Sequence, residues 1–120
     1  MNILLLGAGG ALGAIARYGI TQAVTRYLSV TDYIGTLSVN IIGCFFIGII
    51  IGIYVDIKIE TQLFFIIGFL GSFTTMSAFS IQTVEMFNNQ NFGEAILYIF
   101  MTILFTILAT YIGLSLGSLK

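Results

Sequence analysis

The sequence has no histidine, proline or tryptophan, and a single cysteine, Cys44. Each absence removes some chemistry. Without an imidazole, the nucleophile–base pairs of the common enzyme classes cannot be built. One thiol makes neither an intrachain disulfide nor a zinc site. Cys44 lies in the middle of an apolar run, where a thiol behaves as a small hydrophobe. Charge is also scarce. Four Lys/Arg and five Asp/Glu make the chain 8% charged, against about 25% for an ordinary soluble domain. Nine such side chains cannot cover a water-facing surface. The net charge of −1 offers no basic footprint for nucleic acid.

What is present is apolar. Hydrophobic residues make up 58% of the 120 positions, so lipid is the solvent for most of the chain. The length suits one domain, residues 1–120, with no room for a separate catalytic module. Four apolar stretches, near residues 3–24, 33–55, 61–84 and 92–116, are each long enough for a helix to cross the hydrocarbon core. The reading is an all-α, multi-pass membrane protein with four transmembrane helices. No Lys or Arg precedes the first run, which argues for a retained helix rather than a signal peptide. Thr31 or Asp32 is a candidate N-cap, and Asn91 with Glu94 has the spacing of a capping box. Gly9 and Gly13, Gly48 and Gly52, and Gly113 and Gly117 are each four apart. Small residues at this spacing let helix backbones approach closely in lipid.

The basic residues are balanced across the membrane. Lys58 and Lys120 fall on one side, with Arg26 and nearby Arg17 on the other. The positive-inside rule then gives almost no preferred orientation, as in a chain that inserts both ways up. Four helices of this size enclose no wide pore, so a transport path needs a second copy, and an antiparallel dimer follows from the missing bias.

Polar groups at membrane depth are the functional candidates. In the third run, Gly68, Gly71, Ser72, Thr74, Thr75, Ser77 and Ser80 cluster between residues 68 and 80. Either the helix breaks there and frees carbonyls, or it continues with a small-residue face. Asn40, with Thr36 one turn earlier, lies mid-run. It faces a cavity or ties two helices together. Tyr98, Thr102, Thr106 and Thr110 recur at i+4, forming a hydroxyl stripe or bonding back to their own helix. Arg17 attracts an anion or snorkels to the interface. Amides, hydroxyls, an Arg and aromatic ring edges share a preference for anions. No carboxylate lies near the middle of a run, where a proton-coupled cation exporter needs one.

These residues resemble the CrcB/Fluc family of fluoride channels along the whole chain. Gly9, Gly10, Gly13, Ala14, Arg17 and Tyr18 look like its first motif, and Gly35 to Asn40 with Gly43, Phe45 and Gly48 like its second. Gly68 to Phe79 looks like its third, and Tyr98, Thr102 and Thr106 resemble its polar track. The resemblance implies an antiparallel, dual-topology homodimer in the cell membrane, with a broken third helix and two narrow pores. It implies passive, selective fluoride export that lowers cytoplasmic fluoride. It implies a structural sodium ion (Na+) at the dimer centre, held by backbone carbonyls at Gly71 and Thr74 of both copies. Asn40 becomes the pore amide and Phe79 a pore phenylalanine. Thr36, Ser77, Tyr98, Thr102 and Thr106 line the path, with Arg17 in the vestibule. Met76 takes the place of the family's other pore phenylalanine, Ala78 that of a Thr, and Gln82 that of a common Glu. Two other readings compete. A small multidrug exporter needs a buried Glu in the first helix, which is absent. A structural subunit of a larger membrane complex would use the glycine faces for packing alone.

Overall fold

A computed structural model describes residues 1–54 and 56–119. Val55, expected to end the second run, and Lys120, counted in the charge balance, lie outside the described residues. Four helical spans are long and apolar enough to cross a membrane: α1 (Asn2–Leu28), α2 (Asp32–Ile53), α3 (Ile59–Asn88) and α4 (Phe92–Gly117). In lipid the backbone must satisfy its own polar groups, and uninterrupted helix does this for α1, α2 and α4. Among the described residues there is no strand.

The helix ends obey local rules, with some departures from expectation. α1 continues past residue 24 to Leu28 and ends at Ser29 in the left-handed region (φ 52°), with Arg26 in its last turn. A cation there complements the helix dipole. Thr31 is the N-cap of α2, but its hydroxyl makes no capping bond; Asp32 occupies the first turn instead. Asn91 is the N-cap of α4, yet no capping box forms. Glu94 accepts a hydrogen bond from the Tyr33 hydroxyl at 3.3 Å, and the Asn91 amide that a capping box would serve donates to the Met86 carbonyl at 2.8 Å instead.

Glycine decides which helices touch. A Cβ on Gly48 would strike the Thr110 carbonyl, and one on Gly113 the Phe45 carbonyl. Gly52 and Gly117 face each other: a Cβ on either would come within 3.0 Å of the other's Cα. The second and third glycine pairs therefore pack against one another, and α2 crosses α4 backbone to backbone. Gly9 and Gly13 do the same for α1 against the first half of α3, where a Cβ would strike the Phe64 and Phe69 carbonyls. This close approach replaces the hydrophobic driving force that is missing in lipid. The inner core is small, with Val39, Ala95 and Tyr98 buried. Large apolar residues such as Ile15, Phe100 and Ile107 point outward, toward lipid.

The third span is broken, as one sequence reading held. It begins as α-helix (Ile59–Thr61), widens to π-helical turns over Gln62–Leu70, and closes with an α turn at Gly71–Phe73. Nothing in the sequence reading anticipated the π-helical stretch, a rare form often found at functional sites. Thr74 is extended (φ −79°, ψ 156°), and a second α-helix starts at Ser77 and runs to Asn88.

Candidate functional site

Asn40 holds the break open. Its Nδ2 donates to the Thr75 carbonyl at 2.9 Å, and its Oδ1 accepts from the Thr75 amide at 2.7 Å. The side-chain amide thus stands in for a helical neighbour and satisfies both backbone groups of an interrupted residue. Asn40 and Thr75 are both buried, so the pairing removes a desolvation cost on each side. Of the two sequence readings of Asn40, the tie between helices is the one seen here. It ties α2 to α3, and the second hydrogen on Nδ2 remains to be donated elsewhere.

The same rearrangement releases carbonyls. In a continuous helix the Thr75 amide would serve the Gly71 carbonyl four residues back. Here it goes to Asn40. The Ala78 amide would likewise serve Thr74, but it donates to Thr75 Oγ1 at 3.2 Å. Thr75 is therefore the working cap of the second half-helix. The Met76 and Ser77 amides do not serve the Ser72 and Phe73 carbonyls either, so Gly71 and Thr74, the two expected cation ligands, are two of four neighbours whose carbonyls lose their usual helical partners. Gly71 is exposed on the chain surface. The Thr74 hydroxyl donates to Leu70 at 3.0 Å, and its methyl packs under Gly43, where a Cβ would collide with it.

Below the break, α2, α3 and α4 are stitched by side chains. Tyr98 donates to Gln82 Oε1 at 2.8 Å, and Gln82 Nε2 donates to Thr36 Oγ1 at 2.9 Å. The Phe79 ring meets Tyr98 edge-on, with centroids 5.1 Å apart and planes at 63°. This T-shaped contact is the geometry ring quadrupoles favour.

A cleft of about 580 Å³ opens beside this assembly. Arg17 from α1, Thr36 from α2, and Thr75, Ser77 and Gln82 from α3 line it. The Ser77 hydroxyl lies 3.2 Å from that of Thr75. Arg17 thus shares one space with the hydroxyls and amides of the break.

Two expected stripe residues turn inward on their own helix. Thr106 donates to the Thr102 carbonyl at 2.6 Å, and Thr110 to that of Thr106 at 3.0 Å. Thr102 differs: its Oγ1 is buried and has no partner. A buried hydroxyl left unsatisfied is costly and marks a place for a ligand or water. Met76 points away from the chain, 72% exposed, so within one copy it lines nothing. In the sequence, Thr75 stands out only within the polar cluster between residues 68 and 80, and Gln82 only as a departure from the family pattern. Gln82 carried the same signal as Asn40, an amide inside an apolar run. Thr75 gave nothing beyond its place in that cluster, because its backbone pairing with Asn40 and its cap on Ala78 are set by the break itself.

Among the described residues no cluster of three His, Cys, Asp or Glu could bind a metal.

Residues 4–114 match the family described as CrcB-like protein, camphor resistance. The chain is similar to the fluoride-specific ion channel FluC of Dehalococcoides mccartyi strain BAV1, with 41% identity over 98% of this chain and 93% of that one. A channel of the same name from Agrobacterium fabrum is 37% identical over 98% of this chain and 96% of its own. Fluoride-specific ion channel FluC 1 of Methanosarcina acetivorans is 37% identical over 93% and 87%.

Proposed function

We propose that this chain, which belongs to the CrcB-like family, is a fluoride-specific ion channel that lets fluoride leave the cell passively. It is a multi-pass membrane protein. The observation that carries the proposal is identity of 32–41% along nearly the full chain with relatives that bear that name. The geometry agrees with it. Fluoride is small and strongly hydrated, and stripping its water is prohibitive unless compact donors replace it. The chain offers such donors at membrane depth: the spare N–H of Asn40, the hydroxyl of Ser77 and the unpartnered hydroxyl of Thr102. Arg17 lines the adjoining cleft, where the Asp32 carboxylate offsets its charge. Neutral donors bind the ion weakly enough for it to leave again.

The conducting unit is a homodimer whose two copies lie antiparallel. Supporting this are the exposed Met76 and Gly71 at the break and the balance of basic residues between the two sides. Met76 then lines the pore from the partner's side of the interface. A sodium ion between the copies would be held by the carbonyls of Gly71 and Thr74 and would supply a fixed positive charge joining two half-broken helices. The donor set fits, since both carbonyls are freed by the diversions at Thr75 and Ala78.

The test is fluoride-electrode efflux from proteoliposomes, with chloride as the competing ion. Fluoride release without chloride release is expected, and vesicles that hold their fluoride sink the proposal. For the dimer, single cysteines placed in each loop in a Cys44-free background should label from both sides of the membrane. Labelling from one side only removes the antiparallel arrangement.

A further inference from the structure

Ends of all four helices meet at one mouth of the chain, and their charges are uneven. α1 brings Arg17 and, in its last turn, Arg26. α2 and α4 begin there, each with an acid in its first turn, Asp32 and Glu94. α3 ends there and adds Glu85. The three acids are exposed and line a second cleft of about 390 Å³. Of the three, only Asp32 also lines the cleft of about 580 Å³ that Arg17 shares with Thr75 and Ser77.

An anion in that cleft is attracted by the Arg17 guanidinium. The positive end of the α2 dipole attracts it as well. Asp32 stands where it opposes both, in the first turn of α2 and across the same space from Arg17.

We infer that Asp32 sets the rate at which anions enter this cleft: its carboxylate cancels the attraction of Arg17 and of the α2 N-terminus, and holds fluoride conduction below what the donors at the break would allow. The inference rests on the channel reading above. Asp32 acts through its field rather than by touching the ion, so the choice of ion stays with those donors. A unit charge roughly 8 Å from an anion's path, in a largely aqueous dielectric, changes the local anion concentration roughly two- to threefold. Salt weakens the effect: the Debye length falls from roughly 30 Å at about 10 mM to roughly 3 Å at about 1 M.

The experiment measures initial fluoride efflux from proteoliposomes at these two ionic strengths, set equal on both sides with the salt of a large impermeant anion. Asp32→Asn should raise efflux roughly two- to threefold at low ionic strength and match wild type at high. Asp32→Glu keeps the charge and should keep the wild-type salt dependence. Because Asp32 also belongs to the first turn of α2, a second comparison is made within one folded protein. Asp32→Cys in a Cys44-free background is modified in detergent with a thiosulfonate reagent carrying either a sulfonate or a quaternary ammonium group. The ammonium form should conduct faster than the sulfonate form at low ionic strength and equally at high, and both should exclude chloride. Equal efflux from D32N and wild type at low ionic strength overturns the inference while leaving the channel standing. So does a D32N gain that persists at high ionic strength, or equal efflux from the two modified forms. A wild type that passes no fluoride overturns both.

Discussion

Replacing Asn40 by Asp tests the break and the pore at once. The change is nearly isosteric. The bond from the Thr75 amide to Oδ1 survives, but the donor that held the Thr75 carbonyl at 2.9 Å becomes a second acceptor. Leaving one buried carbonyl unpaired costs about 1–3 kcal/mol. The effect on the anion is larger. Two unit negative charges about 4 Å apart at an effective dielectric of about 20 repel by about 4 kcal/mol, which lowers occupancy roughly a thousandfold. Asn40→Asp should therefore reduce fluoride efflux at least a hundredfold near neutral pH, while size-exclusion chromatography still shows an assembled protein. Acidification restores the donor and removes the charge, so the defect must shrink as pH falls. Efflux within about threefold of wild type, in protein that is correctly assembled, would refute both the clamp and the placement of Asn40 beside the ion.

The other expectations use different readouts. Thr102→Val removes a buried hydroxyl that has no partner; thermal stability should hold or rise by about 1 kcal/mol while efflux falls, and a loss of stability would show that the hydroxyl is bonded after all. Phe79→Ile deletes the ring that meets Tyr98 at 5.1 Å; it should cost about 1 kcal/mol of stability and slow efflux, and wild-type rates would remove Phe79 from the path. Gly113→Val sets a side chain against the Phe45 carbonyl and 3.0 Å from the Ile49 amide; it should destabilise by at least about 1–3 kcal/mol in a detergent melt, and an unchanged melting temperature would mean that α2 and α4 are not in backbone contact.

Much of the architecture was legible because lipid imposes so few options. Runs of about twenty apolar residues must become spanning helices, and the four expected spans are present. The glycine pairs announced close crossings but not their partners. That Gly48 and Gly52 meet Gly113 and Gly117, while Gly9 and Gly13 meet α3, depends on how the helices are arranged in space. The capping box at Asn91 failed for a local reason: the Asn91 amide already donates to the Met86 carbonyl at 2.8 Å in the turn after α3. For the hydroxyl stripe, two readings were open, and the helix's own carbonyls won at Thr106 and Thr110 but not at Thr102.

The sequence by itself determined the solvent and the number of spans and favoured an anion over a cation, because hydrophobic length and the lack of carboxylates in mid-run are properties of residue type and order. The tertiary structure decided where α3 breaks and what holds the break. A helix opens only where another side chain takes over its backbone bonds, and Asn40 reaches Thr75 from 35 positions away in the chain. That choice is made by a contact between helices.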